Sequence, residues 1–198
     1  MVKQLQRSGE YDLAAGAIRI GLAALARADL FTMAGEVFPD FTRETGHTCM
    51  LTIWGDAGPT IVRWYDGNPR VVTSLAIGSV LPPLRSATGR IFCAFGGAAL
   101  MESFDKSILK AERRAFPNHK EIIAEVRKTG GACVDGDLIP GLRATAAPVF
   151  DLQGRLVLVA SALAHDIEPD RERFDASERL GQACRQLTEM LGGAWPFG

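Results

Sequence analysis

A surplus of charge of one sign is missing from this sequence. The 198 residues include 22 Lys and Arg against 23 Asp and Glu, which gives a formal net charge of −1 at pH 7. Proteins that bind nucleic acid neutralise a run of phosphates with basic residues, so this balance gives no support for direct binding of DNA or RNA. Hydrophobic residues make up 47% of the chain, which is typical of a folded globular protein and argues against intrinsic disorder.

Cysteine pairs and long apolar runs are missing as well. The cysteines are scattered and form no C-x-x-C pair, so we expect neither a disulfide framework nor a zinc site. The longest apolar run, residues 156–164, has the length of a β-strand and is too short to cross a bilayer. No apolar segment follows the first residues as it does in a signal peptide. These absences predict a cytoplasmic protein that does not contact a membrane.

The common catalytic motifs do not occur either. The sequence contains no G-x-S-x-G, H-E-x-x-H, P-loop or G-x-G-x-x-G segment. Its histidines, His47, His119 and His165, stand in no recognised relation to a Ser or Cys nucleophile. A cysteine within an apolar segment is usually a small core residue. We therefore expect neither an enzyme nor a cofactor.

The apolar pattern predicts an α+β fold. Helical periodicity covers residues 11–28, 29–43 and 84–95, a segment from Pro117 to Gly130, and residues 170–191, with short helical turns at 98–104. Segments rich in β-formers at 48–54, 60–65 and 70–74 are separated by turn residues and predict an antiparallel meander. Residues 142–150 and 155–163 flank an Asp-to-Gly turn and predict a hairpin. Helices before, between and after antiparallel strands are typical of the α+β class.

The stretch G-S-V-L-P-P-L-R-S-A-T-G-R at residues 78–90 is the first candidate site. Its prolines keep the chain extended up to Ser86, which can cap a helix, and Ala87, Thr88 and Gly89 then form a first turn of small residues. Free amides at a helix start, together with the helix dipole, favour a carboxylate or a phosphate. An anion pocket is one interpretation of this turn, and an ordinary helix N-terminus facing water is the other.

The second candidate is the Gly- and Pro-rich segment at 133–143, which predicts a loop before a strand. Asp135 and Asp137 could contact the polar end of a ligand or a bound cation there. A solvated turn is the alternative, and it is the more frequent outcome for such a composition. We predict no metal site at this loop.

These residues together resemble the effector-binding domain of IclR-type bacterial transcriptional regulators. The resemblance begins at G-E-Y-D-L (9–13), which looks like the end of a DNA-binding wing, and continues through E-T-G-H-T (44–48), G-S-V-L-P (78–82) and A-T-G-R (87–90). It closes with G-L-R-A-T-A-A-P-V-F-D (141–151) followed by Gly154, which is the most specific block. The resemblance therefore spans nearly the whole chain.

The resemblance implies a GAF/profilin-like fold, in which a curved antiparallel sheet flanked by helices holds a small molecule on its concave side. The ligand of such regulators is typically a small carboxylate or an aromatic metabolite, and the effector domains form homodimers or tetramers. Operator DNA is bound by an N-terminal winged helix-turn-helix, which we expect to be absent here apart from a remnant of the wing. We accordingly expect residues 1–28 to form the wing remnant and linker helix, and residues 29–198 to form the effector-binding domain.

The resemblance also assigns ligand contacts by motif position. They lie at the helix start, in the acidic loop and on one face of the hairpin: Ala87, Thr88, Gly89, Asp135, Leu142, Ala144, Ser161 and Leu163. Members that bind glyoxylate or pyruvate tend to have Cys in place of Ala144, Ser in place of Leu163 and an acid in place of Val134. Because apolar groups replace these polar ones, we expect an aromatic or branched-chain carboxylate as the ligand.

Two other function classes stay open at this point. A small enzyme on a GAF-like fold is the first, although no base accompanies any nucleophile in the sequence. The second is a dimerisation module without a ligand, and an apolar stripe on the last helix, Leu180, Leu187 and Leu191, would suit it. The same stripe is equally typical of a core face.

Overall fold

The computed structural model describes residues 2–4, 11–13, 29–97, 100, 102, 106–165 and 170–197. The strands are β1 (Val2–Gln4), β2 (Tyr11–Leu13), β3 (Thr48–Gly55), β4 (Gly58–Tyr65), β5 (Ala132–Asp135), β6 (Leu142–Phe150) and β7 (Leu156–His165). The helices are α1 (Leu30–Thr45), α2 (Ala87–Phe95), α3 (Lys106–Ala115), α4 (His119–Thr129) and α5 (Asp170–Met190). The predicted α+β class is confirmed.

Strands β3 to β7 form one antiparallel sheet in the order β4-β3-β7-β6-β5. The hairpin predicted at residues 142–163 is confirmed, because the Asp151 carboxylate accepts hydrogen bonds from the amides of Gln153 (2.9 Å) and Arg155 (3.0 Å) and closes the turn. In the middle of the sheet β3 pairs with β7, with Cys49 opposite Ala162. Strands that are far apart in the sequence thus form the centre of the sheet.

The two faces of the sheet are covered by different helices. Alternate residues of a strand point to opposite faces, and on β7 Leu158 and Ala160 pack with α1 and α5 while Val159 packs with α2 and α4. Helix α1 begins at an Asp29 cap, whose carboxylate accepts a hydrogen bond from the Phe31 amide (3.1 Å). The sheet is therefore the central layer between two helical layers.

The apolar stripe of α5 belongs to the core. Leu180 and Leu187 are fully buried and pack with Val149 and Leu158 of the sheet, while Leu191 is half-buried at the edge of the same cluster. The interpretation of this stripe as a dimer face is wrong for Leu180 and Leu187, because the sheet already covers both side chains.

The third strand of the predicted meander does not form. Residues 70–74 lie outside any strand, and Val72 is 89% exposed. The outer edge of β4 is instead covered by residues 78–81, where Ile61 donates to the Ser79 carbonyl (3.0 Å) and Leu81 donates to the Pro59 carbonyl (2.8 Å). Residues 78–81 therefore pair with β4 in place of the predicted strand at residues 70–74.

Other segments also differ from the prediction. Residues 11–13 form β2, paired with β1, where the pattern predicted the start of a helix. Residues 132–135 form the edge strand β5 where a loop was predicted, since Val134 finds a pairing partner in Ala144. Helix α3 was not predicted, because half of the residues in its sequence, K-S-I-L-K-A-E-R-R-A, are charged.

Some predictions fall on residues outside those described above. The linker helix at residues 14–28 lies wholly outside them, and so do most of the short turns at 98–104. The division at residue 28 into a wing with its linker and an effector domain stays a prediction. In the portion of the chain that is described, no helix combines the length and apolarity needed to cross a membrane.

Candidate functional site

A small cavity lies where the start of α2 faces the sheet. Its volume is about 20 Å³. The sheet contributes one wall, formed by Met50, Val134, Leu142, Ala144 and Leu163. The start of α2 contributes a second wall, formed by Ser86, Ala87 and Thr88, and two loops cover the cavity with Leu75, Leu138 and Ile139. None of these described lining residues is charged.

Ser86 caps α2 and leaves two amides beside the cavity without an acceptor among the described residues. Its hydroxyl oxygen accepts a hydrogen bond from the Gly89 amide (2.9 Å) and donates to the Pro82 carbonyl (2.6 Å). The amides of Ala87 and Thr88 have no acceptor among the described residues. Both residues are buried and line the cavity. The cavity therefore borders the positive end of the α2 dipole.

Gly89 allows the start of α2 to pack closely against Pro82 and Pro83, and it does not line the cavity. Its amide is occupied by Ser86, and a Cβ atom built at this position would lie 2.2 Å from the Pro82 carbonyl oxygen and 2.7 Å from the Pro83 Cα. Only glycine fits so close to the two prolines. Of the small first-turn residues, Ala87 and Thr88 alone face the cavity.

Ser161 supports the cavity wall from behind. Its hydroxyl lies 2.7 Å from the Thr88 hydroxyl, and both side chains are 0% exposed. Because each hydroxyl satisfies the other, Thr88 is held in one orientation. Ser161 therefore contacts Thr88, which lines the cavity, but does not line the cavity itself.

The sheet brings the predicted hairpin residues together. Ala144 pairs directly with Leu163 across β6 and β7, and Leu142 lies two positions earlier on the same face. All three line the cavity. The spacing of two in the sequence was a sufficient signal for their common face.

Asp135 does not line the cavity. It is exposed, and its carboxylate accepts a hydrogen bond from the Arg143 Nε at 2.7 Å. Its neighbour Val134 faces the cavity, and alternation along β5 turns Asp135 the other way. The acid expected near the ligand is thus placed outside the cavity, where Arg143 neutralises it.

Arg90 holds one of the covering loops in place. It is only 9% exposed and donates to the Leu84 carbonyl (2.7 Å), the Cys133 carbonyl (2.9 Å) and the Asp137 carboxylate (2.8 Å). Residues 136–141, which we call the lid, carry Leu138 and Ile139 over the cavity. The sequence showed both Arg90 and Asp137, but nothing in it indicated that they pair.

The lid begins and ends at glycines whose backbone is in the left-handed region. Gly136 has a φ of 71° and Gly141 a φ of 79°. This region strains residues that carry a side chain, whereas glycine adopts it freely. Asp137 is the lid residue that Arg90 contacts, so an ion pair joins this glycine-bounded loop to α2.

The described residues form no cluster of metal ligands, and three of their thiols are poor nucleophiles. No group of three or more His, Cys, Asp or Glu could hold a metal ion there. Burial raises the pKa of the Cys93 thiol to about 12 and raises the pKa values of Cys49 and Cys184 as well. These thiols are protonated at neutral pH, and only a thiolate is a good nucleophile. None of these three cysteines is among the described residues that line the cavity.

Comparisons with known proteins identify the family. Residues 22–189 match the family described as the bacterial transcriptional regulator IclR C-terminal domain. The chain is 25% identical over 201 residues to the HTH-type transcriptional regulator XynR of Escherichia coli strain K12, a match that covers 96% of this chain and 78% of that protein. These relatives are transcriptional regulators and not enzymes, as the missing catalytic motifs predicted.

Solved structures agree with this match. The crystal structure of HmgR from Pseudomonas aeruginosa has a TM-score of 0.82 and 29% sequence identity, over 97% of this chain and 79% of that one. That of the Agobacterium tumefaciens repressor BlcR has a TM-score of 0.77 over 98% of this chain and 79% of that one, and its 16% identity shows the fold alone. The GAF-like fold is confirmed. Sequence and structure together show that the chain belongs to the IclR family of bacterial transcriptional regulators.

Proposed function

We propose that the cavity at the start of α2 is the effector site of this regulator and that it takes an aromatic or branched-chain carboxylate. The amides of Ala87 and Thr88 carry this proposal, because they are buried, lack an acceptor in the described part of the chain and open onto an apolar space. A carboxylate seated there would accept both hydrogen bonds and meet the positive end of the helix dipole.

The apolar wall supports the choice of ligand. The ligand body would contact Leu142, Ala144 and Leu163, none of which offers a hydrogen bond. A small polar acid such as glyoxylate would lose hydrogen bonds to water without replacing them on this side. Asp135 is turned away and paired with Arg143, so its charge would not oppose the carboxylate at close range.

The size of the cavity requires the lid to move. A cavity of about 20 Å³ has room for roughly one water molecule. A benzoate-sized ligand would therefore displace Leu75, Leu138 and Ile139 from the positions they occupy here. Opening of the lid would break the Arg90 to Asp137 ion pair or carry it outward.

This movement gives the ligand a way to act as an effector. A ligand shifts a conformational equilibrium only when it prefers one state over the other. Here the ligand would favour the open lid and a displaced start of α2. We propose that this change reaches an N-terminal winged helix-turn-helix through the linker before α1 and alters operator binding in the cytoplasm, in a homodimer or tetramer.

Calorimetric titration with benzoate, 3-methylbutanoate, glyoxylate and pyruvate tests the ligand class. We expect benzoate or 3-methylbutanoate to bind at least about tenfold more tightly than glyoxylate. Tighter binding of glyoxylate would overturn the assignment.

A double substitution tests the location of the site. Ala144→Cys with Leu163→Ser restores the polar groups found in relatives that bind small polar acids, and we expect the preference to move toward glyoxylate by about tenfold. Ala162→Ser is the control, because it adds a hydroxyl to the same strand on the opposite face. Equal shifts in both variants would contradict the proposed site.

A further inference from the structure

A second depression lies beside α2 and shares no lining residue with the cavity at the start of that helix, which we call the effector cavity. It is a groove of about 550 Å³ between α2, α3 and α4, and we call it the basic groove. Its floor is formed by Leu84, Cys93, Leu109 and Ile123. Its rim carries Arg113, Lys120 and Arg127, so an apolar surface is surrounded by positive charges.

The charges of the rim are not neutralised by the described part of the protein. The side chains of Arg113 and Lys120 form no ion pair or hydrogen bond with described residues, because the neighbouring Glu112 carboxylate pairs with Arg85 (3.3 Å). No acidic residue is found among the described residues that line the groove. Arg127 donates from Nε to the Ala94 carbonyl (3.0 Å), which fixes its guanidinium at the rim. The groove is thus locally positive although the whole chain has a net charge of −1.

The acidic residue of α3 is used to fix that helix. Glu112 is 6% exposed, and its carboxylate accepts hydrogen bonds from the amides of Leu84 (3.1 Å) and Arg85 (2.8 Å). Burial of a carboxylate is costly unless it is paired in this way. Since Glu112 points inward, the neighbouring Arg113 is left at the groove, and α3 is held as a defined wall.

The floor of the groove is uncharged. Burial raises the pKa of Cys93 to about 12, and its thiol donates to the Pro83 carbonyl at a sulfur-to-oxygen distance of 3.6 Å. The thiol is therefore protonated at neutral pH, and the groove is suited to noncovalent binding.

We infer that the basic groove binds an amphipathic anion, with the apolar body of the ligand against Leu84, Leu109 and Ile123 and its phosphate or carboxylate group between Arg113, Lys120 and Arg127. The volume lies in the range of small-molecule sites. Arg and Lys recognise phosphate and carboxylate through charge-assisted hydrogen bonds. A purely apolar ligand would leave the rim without partners, and inorganic phosphate would leave the floor uncovered.

Calorimetric titration with hexyl phosphate, inorganic phosphate and hexanol, at equal ionic strength, tests this inference. We expect hexyl phosphate to bind at least about tenfold more tightly than either of the other two. Equal affinity for inorganic phosphate would overturn the role of the floor, and equal affinity for hexanol would overturn the role of the rim.

Substitutions locate the binding. Arg113→Gln and Lys120→Gln should each weaken hexyl phosphate by about tenfold, because each removes a charge-assisted hydrogen bond. Lys128→Gln removes the same charge from α4 at an exposed position that does not line the groove, and it should leave the affinity within about twofold. An equal loss in all three variants would show general charge attraction and overturn the site.

Amide NMR shifts separate the groove from the effector cavity. On addition of hexyl phosphate to the whole chain we expect the largest shifts at Cys93, Leu109 and Ile123. Largest shifts at Ala87 and Ala144 would place the probe in the effector cavity and overturn the inference about the groove. The titrations with benzoate and glyoxylate do not depend on this result.

Discussion

The effector cavity and the basic groove share α2 but would hold an anion by different means. The cavity is small, apolar and lined by no charged residue among those described, and it offers the backbone amides of Ala87 and Thr88. The groove is wide and open, and it offers the side chains of Arg113, Lys120 and Arg127. Buried dipoles are worth more because the surrounding dielectric is low, whereas exposed charges are screened by water and salt. One helix can therefore present a selective site and a permissive one.

Gly89→Ala should produce the largest effect and separate the two sites. The added Cβ would meet the backbone of Pro82 and Pro83, so we expect a loss of about 2 kcal/mol in the free energy of unfolding, and a displaced helix start. Urea denaturation measures the loss, and titration with benzoate and hexyl phosphate shows which site is affected. Benzoate binding should fall more than hexyl phosphate binding.

Gly35→Ala is the matched control for this substitution. A Cβ at Gly35 would have no heavy atom within 4 Å, and the residue is exposed within α1. We expect it to stabilise the protein by about 0.5 to 1 kcal/mol. Similar destabilisation by both substitutions would contradict the close approach of the prolines to Gly89.

Asp137→Asn should have the next largest effect, and it acts on the cavity alone. The substitution removes the charge that joins the lid to Arg90, so we expect the lid to open more readily and the effector to associate about tenfold faster. Stopped-flow measurement of the association rate checks this expectation, with hexyl phosphate binding unchanged.

Asp135→Asn is the control from the same acidic segment. It removes an equal charge, but the Asp135 carboxylate contacts Arg143 and lies outside the cavity. We expect the association rate of the effector to stay within about twofold of its original value. A larger change would favour the ligand contact that the family resemblance assigned to Asp135.

Added salt should have the smallest effect, and it should weaken binding in the basic groove more than binding in the cavity. Raising NaCl from about 0.05 to about 0.5 M shortens the Debye length from roughly 14 to 4 Å. We expect hexyl phosphate to bind several-fold more weakly, because the rim charges are exposed. Binding of benzoate at the buried amides of Ala87 and Thr88 should change by less than about twofold, because no charged side chain among the described residues lines that cavity. Equal sensitivity in calorimetric titrations would mean that the two sites do not differ in screening.

Much of the fold could be predicted from local patterns. The Ser86 cap, the turn at 151–154 and the apolar stripe of α5 are each written in a few neighbouring residues, and each was confirmed. Strand β5 was predicted as a loop, because a short edge strand is defined by its pairing with β6. The edge of β4 was assigned to residues 70–74 instead of 78–81, since long-range pairing leaves no mark in the composition of either segment.

The candidate site was predictable to a similar extent. The family resemblance assigned Ala87, Thr88, Leu142, Ala144 and Leu163 to the ligand, and all five line one cavity. The spacing of two agrees with the common face of Leu142 and Ala144. The pairing of Arg90 with Asp137 joins residues that are 47 positions apart. No periodicity predicts such a contact, and the volume of the cavity could not be predicted from the sequence either.

The sequence by itself determined the fold class and the helix start that offers two free amides, because these depend on neighbouring residues and on periodicity. It also indicated the family, through the motif blocks that resemble IclR-type regulators. Only the tertiary structure decided that Asp135 faces away, that Arg90 holds the lid and that α3 places Arg113 beside Cys93. These outcomes depend on which distant segments pack together. Packing is settled by shape and by the burial of charge, and neither quantity can be read from one segment alone.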